Sequence, residues 1–291
     1  MNIFEKARLE GALSQGPDCA GLWLCKAEES LVRVMSANIS AAGDRDAQRS
    51  LEQVYGLTWA DRVDIQAAAI LDYRPDFVGL QEIQRGTVNG VDADMHAQLM
   101  KRLGEEYSEV DMDAFVPLRE KQWTPILYRH AQWELVEMGG ATQEQVINSM
   151  HRWVWALYRH RETNRLFLHV NLHGPHDGNP QFRAFRPVFF SRVSQQIREL
   201  FSRYGDLPVA VTGDFNLCYG DPALAPLLEG LGLTTAYLAA SDTSYPESYG
   251  DIDHILIHPR RLWASVYRRI DTGLLYMSSD HRPCFADLRL S

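Results

Sequence analysis

The sequence predicts an α/β protein: mixed, mainly antiparallel sheets packed face to face as a sandwich, with helices outside. Two patterns carry that expectation. Between residues 31 and 81 an apolar strand, an amphipathic helix and a second apolar strand follow one another, a crossover unit that lays two strands parallel in one sheet. From Asp113 to Val170 the pattern changes to short strands joined by a tight turn, the mark of antiparallel pairing. Crossovers and hairpins in one chain imply mixed sheets, and amphipathic helices between them cover the outer faces.

In order, residues 1–30 show little periodicity and contain Gly11, Gly16, Pro17 and Gly21, so they read as a leader packed on one catalytic-sized domain spanning 31–291. The first strand runs from Leu31 to Ile39 and opens into a polar loop, Ser40 to Ser50. Thr58 with Asp61 makes a capping box for a helix whose apolar face is Val63, Ala67, Ile70 and Leu71, and Pro75 stops it before the strand Phe77 to Gln81. A second helix is expected over Asp92 to Leu103, with Met95, Leu99 and Leu103 inward and Gly104 at its end. Strands follow at Pro125 to Tyr128, Trp133 to Glu137, Trp153 to Tyr158 and Arg165 to Val170, the last two joined by a turn at Arg159 to Asn164. The longest helical pattern, Arg186 to Tyr204, buries Phe189, Val193, Ile197, Leu200, Phe201 and Tyr204. It leads into the strand before Gly213, where glycine is expected to permit a tight turn. A short helix begun by Asp221-Pro222, a polar aromatic loop from Ser241 to Asp251, and strands at Ile252 to Ile257, Leu262 to Ile270 and Cys284 to Leu290 complete the chain.

With 291 residues, 45% hydrophobic and 23% charged, the composition is that of an ordinary globular protein. No apolar run approaches the roughly 20 residues that a bilayer needs, and the amino terminus lacks the apolar centre of a signal peptide, so a cytoplasmic location is expected. Cys19, Cys25, Cys218 and Cys284 have no metal-finger spacing and read as reduced thiols. A net charge of -9 counts against a broad duplex-binding surface, which needs many phosphate-neutralising cations. A local basic patch drawn from Arg183, Arg186, Arg192 and Arg282 is compatible with an acidic whole, as is the alternative that these arginines are merely solvated.

Several apolar runs end or begin in groups suited to a hard cation and a phosphate. Asn38, Glu82, His173 and the pair Asp214 and Asn216 close strands, while Asp253 opens one and Asp280-His281 precedes another. Carboxylates and carboxamides offer the oxygen ligands and amide donors that such chemistry requires. His173-Gly-Pro-His176 has the form HxxH, but Gly174 and Pro175 deny it the helix of a zinc site.

Taken in order, Asn38, Leu80-Gln81-Glu82, Asn171-Leu172-His173, Gly213-Asp214-Phe215-Asn216, Ile252-Asp253-His254 and Ser279-Asp280-His281 resemble the endonuclease/exonuclease/phosphatase superfamily from residue 31 onward. The resemblance implies a four-layered, deoxyribonuclease I-like α/β sandwich and magnesium-dependent phosphoester hydrolysis, with manganese as a substitute ion. It implies Glu82, Asn38 and Asp280 at the metal, Asp214 orienting or deprotonating the attacking water, and Asn216 and His173 holding phosphate oxygens. His281 is expected at the scissile phosphate, oriented by Asp253, with Arg183 and Arg186 as further phosphate contacts. Two departures stand out: Ser40 occupies a position where some nuclease members carry an acidic ligand, and Gly174 replaces the usual leucine after His173.

A phosphodiester is expected ahead of a monoester, and the substrate stays open between a single-stranded nucleic acid and a small phosphoester. A nuclease would stack bases on aromatics such as Trp123, Tyr245 or Tyr249, whose other reading is core or loop packing. A phosphatase acting on inositol, lipid-headgroup or sugar phosphates is the alternative, and a binding member without catalysis a second one. No protein partner is inferable from the sequence.

Overall fold

The computed structural model describes residues 26, 30–44, 54–110, 122–148, 150–243, 251–270 and 273–291. Apart from Lys26 and Ser30, the expected leader lies outside the described residues, as do Cys19, Cys25, Tyr245 and Tyr249. In chain order the strands are β1 (Val32–Asn38), β2 (Phe77–Gln81), β3 (Ile83–Val88), β4 (Val91–Asp94), β5 (Tyr107–Glu109), β6 (Gln122–Trp123), β7 (Ile126–Arg129) and β8 (Trp133–Gly140). They continue as β9 (Arg152–His160), β10 (Leu166–His173), β11 (Val209–Asp214), β12 (Thr234–Thr235), β13 (Asp242–Thr243), β14 (Asp253–Ile257), β15 (Leu262–Arg269) and β16 (Cys284–Leu290). The longer helices are α1 (Trp59–Tyr73), α2 (Met95–Leu103) and α3 (Pro180–Tyr204).

One large sheet has the order β13-β15-β16-β1-β2-β7-β5 and the other β12-β14-β11-β10-β9-β8, with β4-β3-β6 as a small third. β1 and β2 are parallel across the α1 crossover, and β10 and β11 are parallel across α3; among the other pairs in the large sheets only β13 with β15 is parallel. These two central parallel pairs bring four carboxyl ends to one edge of the sandwich.

Strand periodicity sorts the core. Along β9, Val154, Ala156 and Tyr158 join the apolar cluster shared with the first sheet, while Trp153, Trp155 and Leu157 join the cluster of α3. Ala210, Ile255 and Ile257 follow the first set, and Val209, Val211 and Leu256 the second. Phe189, Val193, Ile197 and Leu200 of α3 lie in that second cluster, so the helix covers the outer face of the second sheet. No helix among the described residues is long and apolar enough to cross a membrane.

A polar bridge crosses the buried space between the sheets. Asn171 Nδ2 donates to the carbonyls of Leu80 (2.8 Å) and Pro125 (3.0 Å), and Asn171 Oδ1 accepts from Gln81 Nε2 (2.7 Å) and Thr212 Oγ1 (3.0 Å). Burial holds His169 neutral, its value pushed down to about 3, and its Nε2 lies 2.8 Å from Thr212 Oγ1. Gly79 faces this bridge with no side chain, because a Cβ there would fall on Thr212 Oγ1 and Asn171 Oδ1.

The structure corrects the sequence expectations at particular places. The second helix begins at Met95, because Asp94 rather than Asp92 caps it by accepting from Ala97 N, and residues 91–94 form β4. α3 begins at Pro180 with Asn179 as its cap, six residues before Arg186, and carries Pro187 inside it. Gly213 is part of β11 rather than a turn: glycine is needed because a Cβ would meet the Leu172 carbonyl of the neighbouring strand. The capping box of Thr58 and Asp61 and the bounds of β2 and β16 match the expectations.

Candidate active site

The carboxyl ends of β1, β2, β10 and β11 deliver Asn38, Glu82, His173 and Asp214 to one point. Asn38 Nδ2 donates to Glu82 Oε1 (3.0 Å) and to Asp214 Oδ2 (3.2 Å), so a carboxamide bridges two carboxylates. His173 Nε2 lies 3.9 Å from Glu82 Oε1 and 3.6 Å from Asp214 Oδ2. Ligand atoms of Glu82, His173 and Asp214 all fall within 4.8 Å of one another. Among the described residues, the cations in ion-pair reach of these two carboxylates are the imidazoles of His173 and His281, with no lysine or arginine. Two carboxylates held together without a strong counter-cation, beside an amide and an imidazole, are a donor set that fits a divalent ion.

Backbone strain marks the same place. Glu82, Asn216 and Ser40 carry positive φ of 61°, 53° and 57°, each one or two residues beyond a strand end. Non-glycine residues enter this region at a cost, and it concentrates at functional sites. At Glu82 it turns the carboxylate back toward β1, where the Ala41 amide donates to Oε2 at 3.1 Å.

On the other side of Asp214 stands His281. Its Nδ1 lies 2.7 Å from Asp253 Oδ2 and its Nε2 3.8 Å from Asp214 Oδ2. Ser279 links this segment to β1 by donating to the Asn38 carbonyl (2.7 Å) while accepting from the His281 amide (3.1 Å). Burial works against a charged ring here, but Asp253, with Asp214 and Asp280 behind it, outweighs burial and pushes His281 up to about 11. Burial likewise raises Asp253, with His281 opposing it. Because the folded value of His281 exceeds the ordinary 6.5, the stability that its protonation contributes is fully present below pH 6.5 and is lost as pH rises through about 11. In the metal-free protein, nitrogen chemical shifts should report an imidazolium at pH 8, and Asp253→Asn should return the titration toward 6.5; a neutral ring at pH 8 in the parent would contradict the pairing.

The amide of Asn216 donates to Asp214 Oδ1 (2.8 Å) and its Nδ2 to the Gly174 carbonyl (2.9 Å), so its carboxamide nitrogen is already engaged. Asp280 is exposed and outside the Glu82 cluster, lying on the rim beside His281. Arg186 is buried and bound to the carbonyls of Pro175 (2.8 Å) and Asn216 (3.0 Å) and to Asp177 (2.7 Å), which makes it a fastener of the loop after His173 rather than a free cation. Arg183 is exposed on the first turns of α3. Trp123 is buried beneath Arg85 and against His96, so core packing is its role and base stacking is not.

A model of the endonuclease/exonuclease/phosphatase family matches residues 35–281, from β1 to His281. The chain belongs to that family, whose members are phosphoester hydrolases. Solved structures agree on the fold. An endonuclease/exonuclease/phosphatase from Bacteroides vulgatus shares 21% identity over 90% of this chain and 99% of its own, with a TM-score of 0.71. The mannosyl-6-phosphatase of Bacteroides thetaiotaomicron shares 20% over 88% and 99% (TM-score 0.67), and D. rerio TDP2 complexed with single strand DNA product shares 19% over 89% and 99% (TM-score 0.62). No curated protein matches significantly.

Two residues of this family member that the sequence reading did not single out support the site. Arg62 on α1 is fully buried and donates to the carbonyls of Ile39 (2.9 Å), Ser40 (3.1 Å) and Ser278 (3.0 Å), clamping the segments that carry Asn38 and His281 to one helix. Arg62→Met should destabilise the fold by about 2–3 kcal/mol through the loss of buried charge-assisted bonds, read as a shift of the denaturation midpoint. His151 is fully buried with its ring edge-on to His173, His176 and Phe182; burial first, then His173, His176 and Arg186, lowers it to about 3. A neutral imidazole here leaves His173 without a competing charge behind it. Neither residue ends an apolar strand, the signal that revealed the others.

Proposed function

We propose that this protein is a magnesium- or manganese-dependent phosphodiesterase. The observation that carries the proposal is the pair of clusters sharing Asp214: Glu82, His173 and Asp214 on one side, Asp214, Asp253 and His281 on the other. Glu82 and Asp214 are the hard oxygen donors that would hold the ion, and the imidazole of His173 in the same cluster suits manganese better than magnesium. When bound, the ion supplies neutralisation of charge on the phosphate oxygens.

The chain's own groups supply the rest. Asp214 Oδ2 faces both His173 and His281 and accepts the proton-bearing edge of an attacking water; Asn38 keeps that carboxylate and Glu82 in register. His281, protonated by its pairing with Asp253, points Nε2 at the place where phosphate charge develops. His173 completes the phosphate contacts, while Asn216, its Nδ2 held by the Gly174 carbonyl, acts by donating its backbone amide to Asp214 Oδ1. The absence of lysine and arginine from ion-pair reach of Glu82 and Asp214, among the described residues, favours a diester, which carries one charge, over a monoester, which carries about two. The net charge of -9 and the burial of Trp123 favour a small ester over a nucleic acid.

Chelator-treated protein should hydrolyse neither bis(p-nitrophenyl) phosphate nor p-nitrophenyl phosphate. Added magnesium or manganese should restore the diester reaction at least about tenfold more effectively than the monoester reaction. Activity that survives chelation, or a preference for the monoester, would overturn this reading.

A further inference from the structure

A cleft of about 260 Å³ opens beside the catalytic pair, walled by Asp251, Asp253, Arg269, Asp280, His281 and Arg282. Asp253 and His281 belong both to it and to the reacting centre, so a group esterified to a phosphate at His281 meets the mouth of this cleft. We propose that the cleft binds an uncharged, hydroxyl-bearing alcohol of the ester, a glycerol or sugar unit, and discriminates against alcohols carrying a second phosphate. The proposal rests on the hydrolase reading and deepens it.

Charge is the first argument. Three carboxylates stand against two guanidiniums and one imidazole, and the strong pairs are already made: Arg269 Nη1 with Asp251 Oδ1 at 2.7 Å, His281 with Asp253 at 2.7 Å. Among the described residues the wall therefore has no surplus of positive charge, and a second phosphate would lie against Asp251 and Asp280 as a like charge. Polarity is the second. Asp side chains offer acceptors and Arg side chains donors within one small space, and a hydroxyl is the group that satisfies both kinds at once. Size is the third. The volume lies just below the roughly 300–1,000 Å³ of drug-sized ligand sites, and among the described residues the lining apart from Ile252, Tyr267 and Cys284 is charged, which suits a small polyol and not an acyl chain or a run of nucleotides.

The test is competition against hydrolysis of bis(p-nitrophenyl) phosphate by methyl phosphate, glycerol 3-phosphate, a hexose 6-phosphate and a hexose 1,6-bisphosphate. Glycerol or hexose monophosphate should bind about tenfold more tightly than methyl phosphate, consistent with one or two added hydrogen bonds, and the better of the two names the polyol. The bisphosphate should bind more weakly than the hexose monophosphate. In Asp251→Ala/Arg269→Ala, which removes both halves of one ion pair, the polyol-to-methyl ratio should fall to about one. Should that variant fail to fold, the isosteric Asp251→Asn/Arg269→Gln takes its place, with the same expected drop in the ratio. Tightest binding by the bisphosphate, or an unchanged ratio in the folded variant, would overturn the proposal. If wild-type protein hydrolyses no phosphoester, the hydrolase reading falls, and calorimetric binding of the same four esters still decides what the cleft takes.

Discussion

Asp214→Asn should lower kcat on a phosphodiester by about a thousandfold or more, with the denaturation midpoint changed by less than about 1 kcal/mol. Asp214 is the residue both clusters share, its Oδ2 lying 3.6 Å from His173 Nε2, 3.8 Å from His281 Nε2 and 3.2 Å from Asn38 Nδ2. An asparagine keeps the size and can keep the acceptor for the Asn216 amide, now bonded at 2.8 Å. What it loses is the charge proposed to hold an ion and take a proton, while its new amide would oppose the amide of Asn38, donor against donor. Removing one of two converging carboxylates also relieves repulsion with Glu82, which offsets part of that loss in stability. Turnover within tenfold of the parent, in protein of parental stability, would exclude Asp214 as the central group.

The polar ends of the strands were legible because chemistry and periodicity coincide there. Asn38, Glu82, His173 and Asp214 each stop an apolar run at the carboxyl end of a strand, where the face-to-face packing of the two sheets lays one parallel pair against the other. A carboxylate after five buried residues has no place in a core, so its type and position point the same way. Arg186 shows the limit: its sequence neighbours suggest a basic patch, but its fate depends on the carbonyls of Pro175 and Asn216, which only the folded chain brings to it. Arg62 is hidden for the same reason, since it sits on the apolar stretch of an amphipathic helix and its acceptors lie in two other segments. Pro180 and Pro187 obscured the start of α3. Proline at the first helical position is favourable, and one within the helix removes a single donor that exposure to water tolerates, so neither ends it.

Gly79→Ala should cost on the order of 4 kcal/mol or more, a large share of the roughly 5–15 kcal/mol that holds a domain of ordinary stability. The added Cβ would occupy the space of Thr212 Oγ1 and Asn171 Oδ1, and neither atom can swing aside cheaply. Asn171 is tied at both ends of its carboxamide, to the Leu80 and Pro125 carbonyls and to Gln81 and Thr212, and Thr212 is tied in turn to His169. If the carboxamide turns away, buried carbonyls and an amide lose partners; if the sheets part instead, contacts are lost along β2, β10 and β11. Denaturant midpoints compare Gly79→Ala with Gly79→Ala/Thr212→Ala, in which removal of one colliding side chain should recover part of the loss. A change below about 1 kcal/mol would mean that the sheets do not approach as closely as the bridge requires. The consequence reaches the site. Glu82 follows β2 directly, and β10 and β11 end in His173 and Asp214, so the spacing that Gly79 allows between the sheets is also the spacing between the proposed metal donors. The folded fraction of Gly79→Ala should therefore bind manganese more weakly than the parent, although no metal-binding side chain has been changed.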